Sequence, residues 1–227
     1  MKQLAEKEKY FSKIISEFKT PTVAQINALK TILKTTKQRF SNDEVELIEL
    51  TLYSCNYVHK LIDAFSRILA PKQEKLSLNY NKFNIVELLN EVIDELKILL
   101  KYNNLKIETI CKKEVIISAD KIKLKNVIEN ILSNAIKNAS KDSTIQIKIE
   151  NIERRVQFMV KNSNLCIEEN ALRKVFNKSK NDISLLGCST TELGLYLSKE
   201  IINAHFGQMI IKCCEDSSYV LGFSLPL

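Results

Sequence analysis

The sequence predicts a multi-domain chain, an all-α helical hairpin followed by an α+β sandwich. Two observations carry this. Apolar residues recur at intervals of three and four across residues 11–69, the repeat of one helical face. From residue 85 onward helical periods alternate with two-residue strand periods, so helices and strands share one core. Between the two regions, residues 70–82 contain Pro71, several lysines and no period, and read as a linker. The expected divisions are a hairpin over 1–69, a linker over 70–82 and an α+β domain over 83–227.

In the first helix the stripe runs through Phe11, Ile14, Ile15, Phe18, Val23, Ile26, Leu29, Ile32 and Leu33. Pro21 interrupts it and is expected to kink it, because proline lacks a backbone donor. Ser41-Asn42-Asp43-Glu44 has the spacing of a capping box and opens a second helix carrying Val45, Ile48, Leu52, Cys55, Leu61, Ile62, Phe65 and Leu69. One hairpin cannot bury so broad a stripe, so two copies are expected to pair as a four-helix bundle. In the second half, helices are expected over 85–100, 120–139, 167–176 and 193–204. Strands are expected over 105–111, 115–118, 144–150, 155–161, 209–214 and 219–225, in a mostly antiparallel sheet.

With 227 residues, 45% of them hydrophobic and 27% charged, the chain has the composition of folded globular domains. Its net charge of +7 is scattered among acids rather than gathered in an arm, which excludes a dedicated nucleic-acid surface. Six cysteines without CxxC spacing, beside only His59 and His205, suggest a reducing compartment and no zinc site. No apolar run is long enough to span a bilayer. The expected location is cytoplasmic, as a wholly soluble protein or as the cytosolic part of a longer sensor.

Three stretches resemble the catalytic core of sensor histidine kinases. They are Ser16-Glu17-Phe18-Lys19-Thr20-Pro21, the run from Asn126 to Lys137, and Phe223-Ser224-Leu225-Pro226-Leu227. The resemblance implies a dimerisation and phosphoacceptor hairpin followed by a sandwich of the histidine kinase ATPase type. Ser16 stands where the family carries its phosphorylated histidine. A serine phosphate ester is far less reactive than a phosphoramidate, so the relay is expected to be lost. Glu17 and Thr20 match a Glu-x-x-Thr pair that, in related kinases, supports hydrolysis of a regulator's aspartyl phosphate. Bundle residues such as Phe18, Thr22 and Ile26 are the implied contacts to a response regulator or partner kinase.

For the nucleotide, the resemblance implies Asn134 as a magnesium ligand, with Asn130 and Lys137 lining the pocket and Asp120 starting the helix. Asn162 takes the position of the aspartate that accepts a hydrogen bond from the adenine amino group, with Ser163-Asn164-Leu165-Cys166 where the family has glycines. Phe176 resembles the residue before the ATP lid, which would span 178–189. The lid closes on Thr190-Thr191-Glu192-Leu193-Gly194-Leu195, where Gly194 alone keeps a family glycine and Glu192 sets a carboxylate among the phosphates. Gly187, Gly194, Gly207 and Gly222 are all the glycines in the chain, too few for a backbone cradle of phosphates.

The expectation is a catalytically impaired homologue. It would need no cofactor, would bind ATP and magnesium weakly if at all, and would act by binding a response regulator or kinase as a homodimer. The alternatives are a phosphatase using Glu17 and Thr20, and a residual ATP-dependent kinase acting on a partner's histidine.

Overall fold

The computed structural model describes residues 2–69, 76–112, 114–162, 190–214 and 218–227. Side chains are described from Ile15 onward, except at 16, 64, 65, 67–69, 190 and 213. The chain divides into two compact units, Met1–Lys75 and Leu76–Leu227. No helix among the described residues is long and apolar enough to cross a membrane.

The first unit is the hairpin. Helix α1 (Lys2–Thr36) is continuous through Pro21. A short 3-10 turn at Lys37–Arg39 leads to α2 (Asn42–Leu69). The capping box is formed as its spacing predicts. Ser41 N–H donates to Glu44 Oε2 at 2.8 Å, and Glu44 N–H donates to Ser41 Oγ at 3.3 Å. These bonds, the backbone one foremost, hold the Glu44 carboxyl below the usual range. The helices run antiparallel, as the cross-pairs Lys19 with Asp63, Gln25 with Cys55 and Lys37 with Glu49 require. Thr22, Ile26 and Ile62 are buried between them, while Phe18, Leu47, Tyr57 and Val58 remain exposed.

The second unit is a two-layer α+β domain. Its elements are β1 (Asn81–Asn84), α3 (Ile85–Tyr102), β2 (Lys106–Cys111), β3 (Ile116–Ala119), α4 (Lys121–Asn138), β4 (Thr144–Ile152), β5 (Arg155–Asn162), α5 (Thr190–Ala204), β6 (Gln208–Cys213) and β7 (Tyr219–Pro226). Five strands form a sheet in the order β2-β4-β5-β7-β6, antiparallel except for the β2–β4 pair. The segment expected as a strand over 115–118 does not join this sheet. It becomes β3 and pairs with β1, which begins at Asn81 inside the stretch read as linker. A four-residue strand rich in asparagine carries no periodic signal, and only pairing reveals it. Residues 70–75 of that stretch, and the helix expected over 167–176, lie outside the described residues.

Register decides the core. On the helix-facing side of β5 and β7, the opposed pairs are Val156 with Leu225, Phe158 with Phe223, Val160 with Leu221 and Asn162 with Tyr219. All eight are buried. The Phe158 and Phe223 rings stack with centroids 5.1 Å apart. Beside them, a Cβ at Gly222 would come within 2.0 Å of the Phe158 carbonyl oxygen, so the sheet closes there only around a glycine. Helix α4 packs against β5 and lies between α3 and α5. Leu124, Val127, Ile128, Ile131, Leu132 and Ala135 supply its buried face.

The β4–β5 hairpin turns on Glu153 and Arg154, with φ of 47° and 61°. Both central residues of this two-residue turn therefore sit in the left-handed region, which an asparagine followed by a glycine adopts with far less strain. The double variant Glu153→Asn with Arg154→Gly is expected to stabilise the domain by about 1 kcal/mol. A urea midpoint that stays level or falls would contradict it.

Candidate functional site

Asp120 and His205 fix the start of α4. The Asp120 carboxylate caps the helix by accepting from Lys123 N–H at 3.0 Å, and it accepts from Asn79 N–H at 3.0 Å. Its own N–H donates to His205 Nε2 at 2.9 Å, while His205 Nδ1 lies 2.8 Å from the Ile201 carbonyl of α5. This geometry assigns the proton to Nδ1 and leaves Nε2 as an acceptor. Tyr80 covers the imidazole at a centroid distance of 5.4 Å. The aspartate expected to initiate the helix does so, and His205 joins the beginning of α4 to the end of α5.

With α4 held in this way, Asn130, Asn134 and Asn138 follow one another at four-residue spacing along one face. Asn130 Nδ2 reaches α5, donating to the Gly194 carbonyl at 3.2 Å and to Ser198 Oγ at 3.3 Å. A Cβ on Gly194 would lie 3.4 Å from Asn130 Cγ, an ordinary van der Waals contact, so the approach of α5 to Asn130 does not by itself require a glycine. Helix α5 begins at Thr190, earlier than the expected Leu193. Thr191 and Glu192 are thus in its first helical turn rather than in a loop, and Glu192 brings the acidic charge expected at the phosphate end. Lys137 is exposed in the last turn of α4.

Asn134 is buried, and its Oδ1 accepts from Asn138 Nδ2 at 2.7 Å. The same amide also donates to the Asn134 carbonyl at 2.8 Å. The oxygen aligned with a magnesium ligand is therefore engaged inside the helix. Asn162, fully buried, donates from Nδ2 to the Ala135 carbonyl at 2.9 Å. Its Oδ1, Asn134 Nδ2 and the Tyr219 hydroxyl are buried polar atoms without hydrogen-bond partners. Burial pushes the Tyr219 phenol up, against the adjoining Asn162 and Asn138 amides, which pull it down. Asn134 Oδ1 keeps a second lone pair beside its bond from Asn138, and the Tyr219 phenol adjoins the Asn162 amide. The lid positions 178–189, with Phe176, Ser163, Asn164, Leu165, Cys166 and Gly187, lie outside the described residues.

In the hairpin, Ser16 belongs to α1, and its side chain is outside the described set. Glu17 and Thr20 are exposed. Lys19 Nζ bonds Asp63 Oδ1 at 2.8 Å, and His59 Nε2 stands 3.6 Å from Asp63 Oδ2. Of the three residues expected to meet a partner, Phe18 is 60% exposed, but Thr22 and Ile26 are each only 6% exposed. Thr22 Oγ1 donates to the Phe18 carbonyl at 2.8 Å, which fixes it within its own helix. These two are interior residues of the hairpin, and the outward residues at this level are Glu17, Phe18, Lys19 and Thr20.

Sequence reasoning missed Asn138, Ser198 and Tyr219. The four-residue step from Asn134 to Asn138 was available in the sequence, whereas Ser198 and Tyr219 meet their neighbours only through tertiary packing and strand register.

Residues 119–227 match the model of the histidine kinase-, DNA gyrase B- and HSP90-like ATPase family. The catalytic domain of histidine kinase ThkA is similar at 25% identity and a TM-score of 0.57, covering 65% of this chain and 97% of that one. The chain carries a histidine kinase-type ATPase core. The fold extends through the hairpin. The Acinetobacter baumannii histidine kinase AdeS, 18% identical, matches over 92% of this chain and 96% of its own with a TM-score of 0.59. ThkA in complex with the response regulator TrrA, 21% identical, covers 98% of this chain and 63% of that chain with a TM-score of 0.60. No curated protein matches the sequence in a direct search. Domains of this ATPase family bind ATP with magnesium, and the expected architecture of hairpin and ATPase-type sandwich is present.

The capped carboxylate of Asp120 makes a pH prediction. Burial would raise its pKa, but bonds from Asn79 N–H, Lys123 N–H and the Lys123 ammonium hold it below the ordinary value. Its folded pKa is lower than its unfolded one, so its contribution is present above about pH 4 and is lost as pH falls through the folded value. Asp120→Ala is expected to cost about 2 kcal/mol at pH 7 and to flatten the acid limb of stability. Urea melts at pH 7 and pH 3 check this; an equally steep acid loss in the variant would contradict it.

Proposed function

We propose that this chain is a catalytically impaired histidine kinase homologue that works in two-component signalling by binding a response regulator or a partner kinase. The observation that carries the reading is the replacement of the phosphoacceptor imidazole by Ser16 in an otherwise retained hexapeptide. Supporting it, Asn134 Oδ1 is engaged by Asn138, and Glu192 adds negative charge where phosphates would lie. Like charges about 4 Å apart repel by about 1 kcal/mol even in water, and more when desolvated. ATP and magnesium are held weakly if at all on this reading.

Two copies pair through the apolar surface that a single hairpin leaves open, with Val23, Leu47, Tyr57 and Val58 exposed. The similarity to ThkA in complex with a response regulator supports a regulator as the docked partner. Phe18 is the anchor on this chain, since a large exposed aromatic beside polar neighbours is the usual form of a binding hot spot.

A second reading is favoured by one observation: Glu17 and Thr20 both face outward on α1. Thr20 Oγ would orient a water molecule toward the phosphorus of a regulator's aspartyl phosphate. Attack forms a new P–O bond, breaks the bond to the aspartyl oxygen and releases inorganic phosphate.

Incubation with a phosphorylated response regulator separates the two. Docking alone predicts no faster loss of phosphate and about tenfold or weaker binding in Phe18→Ala, read by calorimetry. Accelerated phosphate loss that disappears in Thr20→Ala selects the phosphatase. Stable transfer of label from γ-labelled ATP onto the chain would overturn the proposal.

A further inference from the structure

We propose that Tyr219 fills the base end of the nucleotide pocket with its own ring, so that the space beside Asn162 is taken by the chain instead of by a nucleobase. This deepens the reading of weak nucleotide binding and rests on it.

Asn162 and Tyr219 are opposed residues of β5 and β7, so their side chains leave the sheet on the same face. That face is the one covered by α4, because Asn162 Nδ2 donates to the Ala135 carbonyl. Both residues are essentially inaccessible, at 0% and 1% exposure. The phenol therefore occupies space next to the amide that reads the base in the family. A nucleobase and a tyrosine ring are flat aromatic bodies of similar thickness, and close-packed interiors do not hold both in one volume.

Tyrosine, rather than phenylalanine, is informative here. The three other opposed pairs on this face, Val156 with Leu225, Phe158 with Phe223 and Val160 with Leu221, are wholly apolar. Only the fourth pair is polar. A buried hydroxyl without a partner is destabilising, and so is a buried amide oxygen without one. Tyr219 Oη and Asn162 Oδ1 are both in that condition. One is a donor, the other an acceptor, and they belong to neighbouring side chains. The phenol thus presents the same kind of group, a hydrogen on an aromatic substituent, that an adenine amino group would present to residue 162. At the other end of the cluster, Asn138 engages Asn134 Oδ1, so the polar atoms of the pocket turn toward one another.

The inference predicts an effect at the base end that is independent of the phosphates, and adenosine is the probe that isolates it. Nuclear magnetic resonance of the wild-type chain should show contacts between the Tyr219 ring protons and the Asn162 side-chain amide protons. Millimolar adenosine should leave both residues' signals unmoved. In Tyr219→Thr and Tyr219→Val, which place β-branched residues suited to a strand and open the space, adenosine affinity should rise by about tenfold to a hundredfold. Tyr219→Phe keeps the ring and should not gain.

Missing ring-to-amide contacts, or adenosine shifts at Asn162 in the wild type, would overturn the inference even if the truncated variants failed to fold. Folded Thr and Val variants that gain nothing would also overturn it. In each case the impaired-homologue reading survives if the wild type still fails to bind ATP with magnesium. Micromolar ATP binding by the wild type would instead remove both.

Discussion

Much of the ATPase-type domain depends on one buried junction, in which His205 accepts the N–H of Asp120. Through it the first turn of α4, the last turn of α5 and the segment before β1 meet at one point, because Asp120 also accepts from Asn79 N–H and His205 Nδ1 contacts the Ile201 carbonyl. Each bond satisfies a group that would otherwise be buried without a partner, a loss of about 1–3 kcal/mol for each such group. The junction also sets the rotation of α4. Rotation decides which asparagines face α5 and which face the sheet, so the polar residues of the candidate pocket inherit their positions from it.

Along α4 the asparagines bond within the chain. Asn130 ties α4 to α5 through Gly194 and Ser198, and Asn138 binds Asn134. In a pocket open to a ligand, such groups would be left for the ligand to satisfy. Here, among the described residues, the chain meets much of its own hydrogen-bonding demand. The remainder is Asn162 Oδ1, Asn134 Nδ2 and the Tyr219 hydroxyl. Internal bonding of this kind follows from burial, since amides taken out of water must find partners within the chain or in a ligand.

The hairpin obeys a different constraint. Its interior is narrow, with Thr22, Ile26 and Ile62 buried, and much of its apolar surface faces outward. The Lys19–Asp63 pair and the nearby His59 add polar order at the level of the hexapeptide, but exposed ion pairs contribute about 0–1 kcal/mol. Open apolar surface is therefore the larger part of what this unit presents.

The sequence by itself determined the division into helical and mixed halves, the extent of most elements, the Ser41–Glu44 capping box and the family resemblance of the boxes around Asn134 and Asn162. Those features are local, set by periodicity, capping chemistry and spacing within a few residues. Only the tertiary structure decided that β1 pairs with β3, that Thr22 and Ile26 point into the hairpin, and that Tyr219 stands opposite Asn162. The physical reason is that strand register and helix rotation join residues far apart in the chain: a slip of one residue in β7 would turn Tyr219 to the other face of the sheet, and no local pattern records that choice.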